Sequence, residues 1–174
     1  NEELTREEFR ECIENNTLTE KLNYEPVRKG DVFYIPSGTI HAIGKGILIA
    51  EIQENSNPTY RVYDYNRKDK DGNTRPLHIE KALDVANLSP APPQEDHDTE
   101  MYFGNPAKIL CQCDYFMVIK VEIQGGTINF FADAASFHHI LVIDGEGFIE
   151  CDDEKIEVKK GSSIFIPAGN GVYK

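Results

Sequence analysis

Residues 30–43 read GDVFYIPSGTIHAI, and residues 161–174 read GSSIFIPAGNGVYK. Both run glycine, five residues, proline, one residue, glycine. The first glycine lets the chain turn sharply into the segment. The apolar alternation that follows suits a strand, and P-x-G turns the chain out again. A pattern that occurs twice in one chain predicts two similar β-units rather than one.

The surroundings of each copy agree with that reading. Near the first, DVFYIP (31–36), GILIAEIQ (46–53) and TYRVYDY (59–65) are rich in Val, Ile and Tyr and are punctuated by Gly, Pro and Asn. Such runs predict strands and turns. Near the second copy, short runs of the same kind continue from residue 108 to 169, a spacing that suggests an antiparallel sandwich or a jelly-roll barrel. The fold class expected is all-β, with minor helices. One helix is predicted over 4–15, where Leu4, Glu8 and Cys12 share a face beside Phe9 and Ile13 and Thr5 begins a T-x-x-E capping pattern with Glu8. Another is predicted over 77–87, after a turn at DKDGN (69–73). Residues 88–98, LSPAPPQEDHD, combine proline with acidic residues and predict a linker. The boundaries expected are 1–88, a linker over 89–98, and 99–174.

Composition limits the function. The net charge of −12 argues against a nucleic-acid partner, whose phosphates require clustered Lys and Arg. It leaves room for a small phosphorylated ligand, which needs only a few local cations. No apolar run approaches the ~20 residues that cross a membrane, and the acidic start NEELTREEF is unlike a signal peptide. Cys12, Cys111, Cys113 and Cys151 fit no zinc-ribbon spacing and predict reduced thiols in a cytoplasmic protein, with Cys111 and Cys113 as alternate residues on one strand face.

The chemistry concentrates in the first copy. Gly30, Pro36, Gly38 and His41 meet every spacing of G-x5-P-x-G-x2-H, which resembles the second motif of the cupin superfamily. In cupins that histidine lies inside the barrel and binds a metal. A neutral imidazole suits Zn2+, Fe2+ or Mn2+, and a rigid wall holds it in place. A histidine alone would read first as a hydrogen-bonded core residue, and the full motif reverses that preference. The second copy carries Val172 at the equivalent position and predicts a degenerate barrel without metal. His138 and His139, in FHHILVIDGEG, resemble the first cupin motif, but they lack its H-x-H spacing.

A narrower resemblance covers residues 35–67, IPSGTIHAIGKGILIAEIQENSNPTYRVYDYNR. This stretch is similar to the signature of class I, zinc-dependent mannose-6-phosphate isomerases of the bacterial type, and RPLHIEKALDV (75–85) resembles the segment that follows it. The resemblance implies that His41 is a zinc ligand, that Arg61 is an active-site arginine that also binds substrate, and that Glu51 and Gln53 line the pocket. The residues themselves agree in part. Glu51 and Gln53 alternate along a run and so face one side, and a guanidinium at position 61 can hold a phosphate or stabilise an oxyanion. Glu51 read alone is equally an exposed strand residue, and Arg61 a cross-strand ion-pair member. Tyr60, Tyr63 and Tyr65 read as packing residues, Arg67 and Lys68 as a solvated turn, and His78 as structural.

The resemblance also implies what is missing. The family's other zinc ligands and an active-site lysine lie upstream of the matched segment, whereas no histidine precedes Gly30 here. The expectation is therefore the carboxy-terminal portion of an isomerase, inactive as a segment, with an incomplete first barrel. Zinc is the cofactor expected of the parent protein, and a sugar phosphate its small-molecule partner. The sequence leaves oligomeric state open. Rival readings are a non-catalytic, sugar-phosphate-binding or regulatory cupin, or another metallocupin enzyme.

Overall fold

The structure is a computed structural model that describes residues 3–56, 58–90, 98–102 and 104–174. Most of the linker expected over 89–98 lies outside these residues. Contacts divide the chain into two compact units. One comprises Asn1–Asp96 with Cys111–Met117, the other His97–Leu110 with Val118–Lys174.

The first unit is organised by helices. Helix α1 (Arg6–Glu14) starts where Thr5 leaves the helical conformation and caps it. The Thr5 hydroxyl accepts the Glu8 N–H at 3.2 Å, and the Glu8 carboxylate accepts the Thr5 N–H at 2.8 Å. Two N–H groups that the helix cannot satisfy internally are thereby satisfied. The apolar face of α1 carries Phe9 and Ile13, which pack with Leu18 of a single 3-10 turn (Leu18–Lys21), with Val62, and with Ala82 and Leu83 of helix α2 (Ile79–Val85). Arg10 donates to both oxygens of Glu80 at 2.5 and 2.8 Å, a bidentate pair linking the helices on their exposed side.

The strands expected at 31–36, 46–53 and 59–65 are not formed. Between the two helices the described residues make no ladder beyond one isolated bridge, Lys68 to Thr74. A strand is stabilised only by hydrogen bonds to a neighbour and by burial of a face. Residues 31–36 and 46–53 join no ladder, and Phe33, Tyr34, Ile35, Ile47, Ile49 and Ile52 are exposed, with Leu48 97% exposed; in 59–65 Val62 and Asp64 are buried, but no strand pairs with that run.

The second unit pairs its strands. Strand β1 (Glu100–Tyr102) runs antiparallel to β2 (Asn105–Gln112), in a sheet completed by β3 (Met117–Val121). The remaining six strands form nested antiparallel pairs. Innermost are β6 (Glu146–Cys151) and β7 (Glu154–Lys159), around a two-residue turn at Asp152 and Asp153. Next are β5 (His138–Leu141) and β8 (Ser163–Ile166), then β4 (Phe130–Ala132) and β9 (Gly171–Tyr173). All three pairs centre on the same turn, so the chain is one long hairpin ribbon. This is the winding of a jelly roll, with antiparallel sheets that do not close. Its core is Ala132, Ile149, Val158, Ile166 and Tyr173, with Phe130 stacked on Tyr173 at 5.3 Å between ring centroids. Burying each of its Ile and Val side chains contributes about 1.5–3 kcal/mol.

Candidate functional site

His41 stands at the end of the first G-x5-P-x-G segment. Gly30 and Gly38 both take left-handed backbone conformations, with φ of 100° and 85°. Thr39 N–H donates to the Pro36 carbonyl at 3.1 Å and closes the turn. At Gly38 there is no room for a side chain, because a Cβ would lie 2.5 Å from the Val85 carbonyl oxygen. Asn87 N–H donates to the Gly38 carbonyl at 2.9 Å, so the turn is tied to the chain leaving α2. His41 itself is exposed, and its Nδ1 lies 2.9 Å from the Thr39 carbonyl oxygen. A carbonyl only accepts, so Nδ1 carries the proton and the Nε2 lone pair is left for a ligand. Metal-binding histidines use the same arrangement.

Arg61 is half-buried, on a loop held by two stitches. In one, Arg61 N–H donates to His78 Nδ1 at 3.1 Å, and His78 N–H donates back to the Arg61 carbonyl at 2.8 Å. In the other, Arg75 Nε donates to the Asp64 Oδ2 at 2.8 Å while Arg75 Nη2 holds Oδ1. Asp64 is buried, and the hydrogen bonds from Arg75 keep its carboxyl below the usual carboxylate range. Between the stitches Val62 packs into the helical core. The loop turns at Tyr65 and Asn66, both left-handed, with Arg67 N–H donating to the Asp64 carbonyl at 3.0 Å. The guanidinium of Arg61 reaches the Pro76 carbonyl at 3.4 Å.

The other expected site residues are less constrained. Glu51 and Gln53 are exposed, and among the described residues neither makes a side-chain hydrogen bond or ion pair. No hydrogen bond or ion pair joins His41, Glu51, Gln53 and Arg61 to one another. Tyr63 and Tyr65 meet edge to face at 4.9 Å, as packing residues do, and Arg67 lies over the Tyr65 ring at 4.9 Å instead of being merely solvated. His138 and His139 are hydrogen-bonded to the Tyr173 and Ser163 hydroxyls at 2.8 and 2.7 Å. Cys12, Cys111, Cys113 and Cys151 form no disulfide among the described residues, and all are half-buried.

The donor set does not amount to a zinc site. Catalytic zinc takes three protein ligands, and the described residues gather no group of three His, Cys, Asp or Glu that could hold a metal. His41 fits a ligand imidazole, as a single donor. Two open depressions lie elsewhere, on the helices, lined by residues such as Glu8, Cys12 and Lys21 or Arg6, Arg10 and Glu80. Sequence reasoning missed the Asp64–Arg75 pair and the link from His78 to Arg61. Both join residues far apart in the chain, and no local pattern marks them.

Residues 107–174 match the family described as mannose-6-phosphate isomerase, cupin domain. The chain is 39% identical over 170 residues to mannose-6-phosphate isomerase ManA of Bacillus subtilis (strain 168), covering 98% of this chain and 53% of that protein. It is 37% identical over 166 residues to the mannose-6-phosphate isomerase of Streptococcus mutans serotype c, covering 95% and 52%. The crystal structure of the Bacillus subtilis mannose 6-phosphate isomerase superposes with a TM-score of 0.85 at 35% identity, over 99% of this chain and 54% of that one. The chain thus spans about half the length of the relatives it matches, in their carboxy-terminal portion. Residues 107–174 carry the cupin domain of the mannose-6-phosphate isomerase family, and nearly the whole chain is similar to the carboxy-terminal half of proteins of that name.

Proposed function

We propose that this chain is part of an enzyme that interconverts mannose 6-phosphate and fructose 6-phosphate in the cytoplasm. Residues 1–88 would belong to its catalytic unit, 99–174 would form the degenerate second barrel, and 89–98 would link them. The observation that carries the proposal is the pairing of two prepared groups. His41 is set in the tautomer a metal ligand needs, and Arg61 is clamped at its backbone on a stitched loop. The similarity to proteins named mannose-6-phosphate isomerases supports the same reading.

Isomerisation between an aldose and a ketose moves a proton between C1 and C2 through an enediol, so the site must stabilise negative charge developing on oxygen. Arg61 is the cation suited to that charge or to the substrate phosphate, and Gln53 would bind substrate on the same family reading. Glu51 is the carboxylate available as general base. Zinc, if bound by the parent enzyme, would polarise the sugar oxygens, and His41 would supply one of its ligands. No further donors are grouped with it here, so we read this chain alone as inactive.

The test is a coupled assay of mannose 6-phosphate to fructose 6-phosphate conversion, using a complete isomerase polypeptide carrying this chain, chelated and then reloaded with zinc. Turnover restored by zinc and lost in His41→Ala and Arg61→Ala supports the proposal. A folded, zinc-loaded protein without turnover sinks it in favour of a sugar-phosphate-binding role.

A further inference from the structure

We propose that His78 is a positioning residue for Arg61, acting through its imidazole Nδ1. The inference rests on the reading of Arg61 as an active-site residue. His78 occupies the N-cap position of α2, yet its side chain makes no capping bond to that helix. The ring meets the Arg61 N–H instead, at 3.1 Å, while the His78 N–H returns a bond of 2.8 Å to the Arg61 carbonyl. The pair replaces what a neighbouring strand would do: it satisfies both backbone groups of one residue in a segment that has no ladder. Immediately after it Val62 is buried in the helical core, so the backbone entering and leaving Arg61 is held on both sides. The guanidinium then departs from a fixed Cα.

The chemistry defines which imidazole can do this. An N–H facing Nδ1 requires a bare Nδ1, so the proton sits on Nε2. The Tyr60 ring lies 6.3 Å from the His78 ring and packs beside it. An asparagine at position 78 would place its side-chain oxygen near the Nδ1 position and keep the bond. A glutamine would place its oxygen nearer Nε2 and lose it.

Steady-state kinetics of His78→Ala, His78→Asn and His78→Gln, in a complete isomerase polypeptide carrying this chain, test the role, with thermal denaturation of each as a check on folding. The alanine and glutamine variants are expected to lower kcat by roughly 10–100-fold with KM changed only a few-fold, because a displaced catalytic group costs transition-state binding first. The asparagine variant is expected to restore kcat to within about threefold of the parent. Should the alanine variant not fold, the comparison of asparagine with glutamine decides. Equal kcat in those two, or parental kcat in the alanine variant, overturns the role of His78. Arg61→Ala serves as the reference. If it retains parental activity, the active-site reading of Arg61 fails and the positioning role falls with it. If it is inactive while asparagine and glutamine behave alike, only the role of His78 fails.

Discussion

Gly30–His41 and Gly161–Val172 share a pattern and share their turns, but only the second enters a sheet. In both, the first glycine is left-handed, at φ 100° and 89°. Each is preceded by the same closed turn, with Asp31 N–H donating to the Arg28 carbonyl at 3.1 Å and Ser162 N–H to the Lys159 carbonyl at 2.7 Å. Even the side-chain bonds match: Asp31 accepts the Arg28 N–H at 2.7 Å, and Ser162 Oγ accepts the Lys159 N–H at 2.9 Å. At the far end Thr39 and Asn170 close equivalent turns on Pro36 and Pro167. The difference lies between the turns. Ser163–Ile166 pair with His138–Leu141, whereas residues 31–36 form no strand ladder among the described residues. Turns are local and travel with their sequence, while a ladder needs a second strand.

The largest effect that would test this contrast is in amide exchange. Amides in the Ser163–Ile166 pairing should exchange at least ~100-fold more slowly than those of residues 32–35, since ladder amides open only with the unit that holds them. Equal rates would mean that the first segment is paired after all. A complete isomerase polypeptide should erase much of the difference, by supplying a neighbour for residues 31–36.

A smaller effect separates the helical core from the β-core. Phe9 is 1% exposed and central to the first, and Phe9→Ala should cost about 3–5 kcal/mol in a denaturant melt. A loss under 1 kcal/mol would show that the helices do not organise the first unit.

The matched glycines can be set against each other. Gly38→Ala combines a left-handed φ with backbone contact at Val85 and should destabilise by roughly 2–5 kcal/mol. Gly169→Ala has the same conformational penalty but open space, and should cost about 1–2 kcal/mol. Equal melting shifts would remove the tie between the first turn and α2.

The smallest expected effect belongs to Glu150, whose carboxylate accepts from Lys155 at 2.6 Å and Lys174 at 2.9 Å. These bonds lower its pKa to about 2. Because the folded-state value is depressed, its contribution is present above the ordinary value of ~4.3 and fades as pH falls toward 2. The melting temperature of Glu150→Gln should therefore approach that of the parent as pH falls through this window. A constant gap would show that the carboxylate charge is not what stabilises.

Much of this was legible in the chain itself. The T-x-x-E pattern marked the start of α1, because capping bonds span three residues. The repeated G-x5-P-x-G marked both pairs of turns, although only the second copy lies in a paired β-unit. The G-x5-P-x-G-x2-H spacing made His41 a candidate ligand, and the family resemblance around TYRVYDY made Arg61 a candidate site residue. These are short-range facts, and backbone sterics and local hydrogen bonds decide them. Tertiary structure alone decided the rest. Apolar alternation at 31–36 was indistinguishable from that at 162–167, yet among the described residues only the latter joins a strand ladder. His78 read as a helix residue, and only the folding of residues 61–78 into a stitched loop brought its ring to the Arg61 amide. Pairing and positioning depend on groups distant in sequence, and no pattern within a segment says whether its neighbour is there.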